Sequence, residues 1–201
     1  MDMMELIKIY DSKLTDIFCK QLIDLFELAD TPKLPGVIGS RREINANIKH
    51  TLEYKIQSII SPESQWYGID SIINSVLSPT ISDYILEMNA NIPVIRHEEF
   101  VDTGFQIQKY KANKGHYQEY HNDFAVFDKN PQYYRILTFI FYLNTVDEGG
   151  ETEFWRKYKI KPVAGRLVIF PASWTYPHCG LMPISHDKYI ITGWIYAKSD
   201  S

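Results

Sequence analysis

Three side chains in the sequence have the types and spacing that suit a metal ion. His121 and Asp123 stand two residues apart, and His178 follows much later in the chain. Two imidazoles and one carboxylate can occupy one face of a metal's coordination sphere and leave the other positions open. This arrangement is expected of a non-haem Fe(II) site that activates oxygen. Zinc takes the same ligand set in some enzymes, so the three ligands by themselves leave both metals open.

A fourth side chain, Lys188, argues against hydrolytic zinc. It precedes the largely apolar run Tyr-Ile-Ile-Thr-Gly-Trp, which is typical of a strand. A buried lysine needs a partner, and one carboxylate of a dicarboxylate co-substrate would provide it, whereas a hydrolytic zinc site has no such need. The alternative interpretation is a solvated lysine at a strand end, with His121 on the surface and Asp123 in a loop.

The first half of the chain shows the periodicity of helices. Apolar residues at three- and four-residue spacing, from Leu14 through Ile17 to Phe26, predict a helix over residues 13–29. A second helix is predicted over residues 69–89, with Pro79 interrupting or restarting it. Residues 31–50, which are rich in Pro and Gly, are predicted to be an irregular surface segment.

The period shortens towards two from about residue 94, which predicts a β region. The predicted strands are residues 105–110, 136–143, 166–170 and 188–196. Alternate residues of a strand share a face, so His121 and Asp123 would point the same way if their segment is extended. Two further sets would each share a face: Thr138 with Ile140 and Tyr142, and Lys188 with Ile190, Thr192 and Trp194. Strands in series after helices predict a β core with helices packed outside it.

Size, charge and cysteine content limit the classes of protein. The chain has 201 residues and no visible linker, which predicts a single domain over residues 1–201, with a mainly helical part (1–93) and a β core (94–198). A net charge of −4 provides no basic surface for nucleic acid. The two cysteines cannot form a disulfide framework, and no signal peptide or membrane span is recognisable. We therefore expect a cytoplasmic protein with no membrane or nucleic-acid partner, of undetermined oligomeric state.

Several motifs together resemble a known family. They are His121-x-Asp123, Gly149-Gly-Glu-Thr152-x-Phe154, Pro162-x-x-Gly165, His178, Lys188 and Trp194. Over about residues 105–196 the sequence is similar to the 2-oxoglutarate/Fe(II)-dependent dioxygenases of the prolyl 4-hydroxylase-like group. The resemblance implies an α+β fold: a double-stranded β-helix (jelly-roll) core with iron near one mouth and the N-terminal helices packed outside.

The resemblance also implies roles for individual residues. His121, Asp123 and His178 would bind Fe(II), and Lys188 would pair with the distal carboxylate of 2-oxoglutarate. Three further residues match positions that line the co-substrate pocket: Tyr110, Thr138 and Tyr142. The stretch from Tyr110 to His121 is slightly longer than the family's usual spacing, and Thr138 and Tyr142 also suit a strand core. Trp194 matches an inward-facing tryptophan, for which packing and ligand contact remain equal alternatives.

The activity implied by the resemblance is hydroxylation of an unactivated C–H bond. Fe(II), 2-oxoglutarate and O2 would be required, with ascorbate as a further candidate, and succinate and CO2 would be released. The resemblance favours a prolyl residue of a peptide or protein as substrate. From the sequence itself, residues 171–177, which immediately precede His178 and contain Trp174 and Tyr176, are a candidate rim of the substrate site. A free amino acid or other small molecule is the alternative substrate, and a non-catalytic metal-binding jelly roll is the alternative class. A peptide substrate predicts an open groove beside the metal, and a small molecule predicts an aromatic lid.

Overall fold

The computed structural model describes residues 3–30, 32–39, 42–56, 61–91, 100–125 and 133–198. Within these residues the chain forms a short 3-10 helix at Met3–Leu6, two α-helices and twelve strands. The helices are α1 (Asp16–Leu28) and α2 (Ile69–Asn91). The strands are β1 (Lys8–Tyr10), β2 (Leu34–Pro35), β3 (Lys49–His50), β4 (Leu52–Ile56), β5 (Val101–Tyr110), β6 (His116–His121), β7 (Tyr133–Tyr142), β8 (Thr152–Phe154), β9 (Tyr158–Ile160), β10 (Leu167–Pro171), β11 (His178–Gly180) and β12 (Lys188–Lys198).

Helix α1 begins three residues later than predicted because Thr15 caps it. The Thr15 hydroxyl accepts a hydrogen bond from the Phe18 N–H at 3.2 Å, which satisfies one of the free N–H groups of the first turn. The buried face of the helix consists of Cys19, Leu22 and Phe26. Ile17, which the sequence pattern places on the apolar stripe, is instead 74% exposed.

Helix α2 runs through Pro79 without a break, so the predicted interruption is wrong. Ile73 and Leu77 before the proline and Ile81 and Ile85 after it are all buried in one core cluster with the strands. Burial of these side chains on both sides of Pro79 offsets the loss of one backbone hydrogen bond. None of the helices in the described ranges has the length and apolar character to cross a membrane.

The strands form two antiparallel sheets. The larger has the order β1-β10-β7-β12-β5-β4-β2, and the smaller has the order β3-β6-β11-β8-β9. Together with the helices these sheets confirm the predicted fold class, an α+β jelly roll. The prediction of an irregular segment over residues 31–50 is wrong in part, because β2 and β3 lie within it and pair with β4 and β6. The predicted start of the β region, residue 94, lies outside the described residues.

Both faces of the larger sheet are buried, against different partners. Alternate residues of its central strands, such as Phe139, Phe141 and Ile191, join the core cluster that contains both helices. The intervening residues, such as Ile140 and Tyr142, join a second cluster with side chains of the smaller sheet. Alternate residues of the central strands therefore line the space between the two sheets, as the sequence pattern predicted. The candidate site lies in this space.

Candidate metal centre

Strand pairing brings together the three predicted metal ligands. His121 ends β6, Asp123 follows two residues later, and His178 begins β11, directly opposite His121 in the antiparallel pair. The Asp123 carboxylate lies 4.0 Å from the Nε2 of His121 and 3.6 Å from the Nε2 of His178. One donor atom from each residue lies within 4.8 Å of the other two. These three residues form a group that fits an iron ion.

Backbone carbonyls and a threonine orient the three ligands. The Nδ1 of His121 pairs with the Glu119 carbonyl at 3.0 Å, and the Nδ1 of His178 pairs with the Tyr176 carbonyl at 3.1 Å. A carbonyl can only accept, so each Nδ1 carries the proton and each Nε2 keeps its lone pair for a metal. The Thr138 hydroxyl donates to Asp123 Oδ2 at 2.8 Å and fixes the carboxylate.

The charge states of His121 and Asp123 are those that metal binding requires. Burial, together with the nearby His178, lowers the pKa of His121 to about 4, against the opposing attraction of Asp123. Burial raises the pKa of the Asp123 carboxyl, but attraction to His178 and His121 outweighs it and holds that pKa below its ordinary value. A neutral imidazole and an ionised carboxylate bind a divalent cation without first losing protons.

Aromatic rings pack around both histidines. Tyr117 lies flat against His121, with ring centroids 3.8 Å apart and planes 14° apart. The Lys49 ammonium lies 5.1 Å from the Tyr117 centroid on the ring face. Phe170 packs edge-on to His178 at 4.8 Å. The sequence interpretation did not include Tyr117, although strand parity with His121 could have identified it.

Trp194 lies beside Asp123, as its predicted inward direction requires. It pairs with Thr138 in the β7–β12 ladder. Its indole Nε1 is buried and helps to lower the pKa of the Asp123 carboxyl. Within the described part of the chain, this nitrogen forms no hydrogen bond of ordinary geometry. The Arg135 guanidinium stacks 3.7 Å from the Trp194 centroid and donates to the Asp123 backbone carbonyl at 3.3 Å. Sequence reasoning missed Arg135, because nothing in its local pattern indicates this contact.

Lys188, the first residue of strand β12, is buried. It is 1% exposed, and its Nζ donates to the Gly150 carbonyl at 2.9 Å. The ammonium also lies 4.1 Å from the ring centroid of Tyr110, its partner in the β5–β12 ladder. Burial lowers the pKa of Lys188 to about 7, against the opposing attraction of Glu151. A carboxylate ligand would restore the charge that burial disfavours.

The three residues predicted to line the co-substrate pocket make different contacts. Tyr110 adjoins Lys188, and its hydroxyl donates to the Gln108 side chain at 2.8 Å. Tyr142 is fully buried, and its hydroxyl is hydrogen-bonded to Thr152 at 2.6 Å. Thr138 contacts Asp123 instead of Lys188. Sequence reasoning missed Gln108, which strand parity with Tyr110 could have indicated.

An open groove of about 450 Å³ runs beside His121. Its walls come from residues near Ile38, Glu43 and Ile48 and from strand β6. The lining residues are Ile38, Gly39, Glu43, Ile48, Tyr117, Glu119, Tyr120 and His121. Two exposed aromatic residues follow or precede the metal ligands in the chain, Phe124 at 55% and Trp174 at 77% exposure.

The comparison with protein families agrees with this geometry. Residues 105–196, which contain the triad and Lys188, match the model of the 2OG-Fe(II) oxygenase superfamily. The resemblance noted in the sequence is thereby confirmed, as are the enzyme class, a 2-oxoglutarate-dependent dioxygenase, and its use of Fe(II) and 2-oxoglutarate. Among curated proteins no relative matches the sequence.

Solved prolyl hydroxylases share the fold. The viral collagen prolyl hydroxylase vCPH from Paramecium Bursaria Chlorella virus-1, in complex with 2OG, is 22% identical, with a TM-score of 0.66 and coverage of 96% of both chains. A prolyl-4-hydroxylase from Pseudomonas putida is 18% identical, with a TM-score of 0.63 over 94% of this chain and 91% of that chain. A prolyl hydroxylase from Trichoplax adhaerens, in complex with a hypoxia inducible factor peptide fragment, is 19% identical, with a TM-score of 0.67 over 96% and 84%.

Proposed function

We propose that this dioxygenase hydroxylates a prolyl residue of a peptide or protein, with release of succinate and CO2. The observation that carries the proposal is the combination of the metal-ligand group, His121, Asp123 and His178, with a buried cation, Lys188, on strand β12 of the larger sheet. A metal site without an organic acid co-substrate has no need of that cation, because an isolated buried lysine is costly.

Each residue has a defined part in the proposal. The triad holds Fe(II), and Lys188 pairs with the distal carboxylate of 2-oxoglutarate beside the Tyr110 ring. Tyr142 lines the same interior, and Thr138 and Trp194 act on the Asp123 carboxylate. The bound iron and 2-oxoglutarate supply the oxidising chemistry. The chain itself orients the ligands through the Nδ1 contacts of both imidazoles and surrounds the pocket with side chains that exclude water.

The groove beside His121 supports a peptide substrate over a small molecule. It is open, which is the feature predicted for a peptide substrate. The Trichoplax adhaerens enzyme with a bound peptide adds a precedent of the same fold.

Cys19 and Cys179 are both free and buried, which supports the cytoplasm as the proposed location.

The first experiment is an anaerobic titration of the Fe(II)-loaded protein with 2-oxoglutarate. We expect a weak visible charge-transfer band that is lost in Asp123→Ala and retained in Asp147→Ala, since Asp147 is 75% exposed. A wild-type protein that binds iron without producing the band would contradict the proposal.

The substrate is tested by offering proline-containing peptides and free proline to the active enzyme. We expect succinate formation to be coupled to the gain of one oxygen atom by a peptide, measured by mass spectrometry. Turnover of free proline with no peptide product would contradict the proposed substrate class while leaving the dioxygenase assignment intact.

A further inference from the structure

The turn between β8 and β9 has a conformation that its residues disfavour. Trp155 and Arg156 have φ values of 51° and 57°, and the Lys157 N–H donates to the Phe154 carbonyl at 2.9 Å. Positive φ at both central residues is the pattern of a type I′ turn, for which Asn-Gly is the preferred sequence. Bulky side chains are sterically disfavoured at positive φ. Such strain persists only where the surrounding contacts enforce it.

Three contacts of Trp155 fall on the segment that leads into His178. Its backbone N–H donates to the Pro177 carbonyl at 3.3 Å, and its indole Nε1 donates to the Thr175 carbonyl at 2.9 Å. Its ring packs against Tyr176, with centroids 5.5 Å apart. Trp155 therefore holds the residues on both sides of Tyr176 and contacts Tyr176 itself.

The Tyr176 carbonyl is the group that orients His178. It accepts from the Nδ1 of His178 at 3.1 Å, and this bond directs Nε2 towards Asp123. The same turn also reaches the other histidine strand, because the Arg156 backbone N–H donates to the Tyr120 hydroxyl at 3.0 Å. The strained turn thus connects the residues that immediately precede His121 and His178.

We propose that Trp155 is a positioning residue for the metal centre, acting on His178 through the Tyr176 carbonyl. The turn keeps an unfavourable backbone conformation because only this conformation directs the Trp155 indole onto the segment of residues 175–177. The inference rests on the proposed function, in that His178 is taken as a metal ligand. Outer groups that orient a ligating histidine typically change metal affinity by about tenfold to a hundredfold when removed.

Two variants of the full-length protein separate strain from positioning. Arg156→Gly relieves the strain at one position and keeps both Trp155 and the backbone N–H that contacts Tyr120. Trp155→Ala in the Arg156→Gly background then removes the indole from a turn that is already relaxed. Co(II) is the probe, titrated anaerobically and followed by its visible d–d absorption, and the melting temperature of each metal-free protein is measured alongside.

We expect Arg156→Gly to raise the melting temperature and to leave Co(II) affinity unchanged. We expect the double variant to bind Co(II) about tenfold more weakly or worse than Arg156→Gly, with altered d–d bands. A lower melting temperature in Arg156→Gly would overturn the strain argument, and a double variant with unchanged affinity and spectrum would overturn the positioning role.

Trp155→Phe in the same background keeps an aromatic ring and loses only the indole N–H, so it decides the question if the double variant does not fold. We expect its Co(II) affinity to fall by about threefold, from the loss of one hydrogen bond, and an affinity equal to that of Arg156→Gly would overturn the inference. A wild-type protein that binds no Co(II) would overturn the proposed function as well, whereas wild-type binding with unaffected variants would overturn this inference alone.

Discussion

The affinity of the protein for 2-oxoglutarate should depend on pH through Lys188. This side chain is 1% exposed, and burial lowers its pKa to about 7 despite the attraction of Glu151. Only the protonated ammonium can pair with a carboxylate, so deprotonation of the free protein competes with binding. Because the pKa is lowered towards neutrality, the loss of affinity should begin near pH 7 and grow as the pH rises.

The magnitude follows from the fraction of protein that carries the charge. With a pKa of about 7, about half of the lysines are protonated at pH 7 and about one in ten at pH 8. The apparent Kd is the intrinsic Kd divided by that fraction. The Kd for 2-oxoglutarate should therefore be nearly constant below about pH 6 and should rise about tenfold for each pH unit above about 7.

The assay is the anaerobic titration of Fe(II)-loaded protein with 2-oxoglutarate at a series of pH values and constant ionic strength. The pKa of His121, about 4, lies below this range. Lys188→Arg is the matched control, since a guanidinium stays charged and should remove the dependence. Lys188→Ala should weaken binding by about tenfold to a hundredfold at low pH, from the loss of a charge-assisted contact. An equal wild-type Kd at about pH 6.5 and about pH 8.5 would refute the reasoning.

Three further predictions concern the metal centre and the core. Thr138→Val removes the hydroxyl that donates to Asp123 and should weaken Co(II) binding about tenfold; an unchanged Kd in a Co(II) titration would contradict this. Phe139→Ala empties a fully buried site between sheet and helices and should lower the free energy of unfolding by about 3–5 kcal/mol in urea denaturation, and a loss below about 1 kcal/mol would count against it. Pro79→Ala should raise that free energy by about 1–3 kcal/mol, because the helix is continuous there; a decrease would mean that the proline conformation is required.

The β core was largely predictable because its pattern is local. Alternation along β7 and β12 already separates the residues that face the helices from those that line the site. The bounds of the strands that were predicted, β5, β7, β10 and β12, differ from the structure by only a few residues, as expected where pairing partners decide the termini. The short strands β2 and β3 were not predictable, because they form by pairing with β4 and β6 and have little β pattern of their own.

In helix α2, by contrast, the tertiary structure overrides the local sequence pattern. Local propensity predicts an interruption at Pro79, yet the helix continues because apolar side chains on both sides of the proline are buried in one core. The exposed Ile17 in α1 is a similar case, since periodicity alone does not tell which side of an apolar stripe meets the sheet.

The sequence by itself determined the chemistry: the types and spacing of His121, Asp123, His178 and Lys188 predict an iron site with a cation for a dicarboxylate, and strand parity predicts that they face one interior. Only the tertiary structure decided how these groups are held. The hydroxyl of Thr138 falls on Asp123, the ring of Tyr117 lies against His121, and the indole of Trp155 holds the segment before His178. The physical reason is that parity is a property of one strand, whereas these contacts depend on the register between strands and on loops that cross from one sheet to the other.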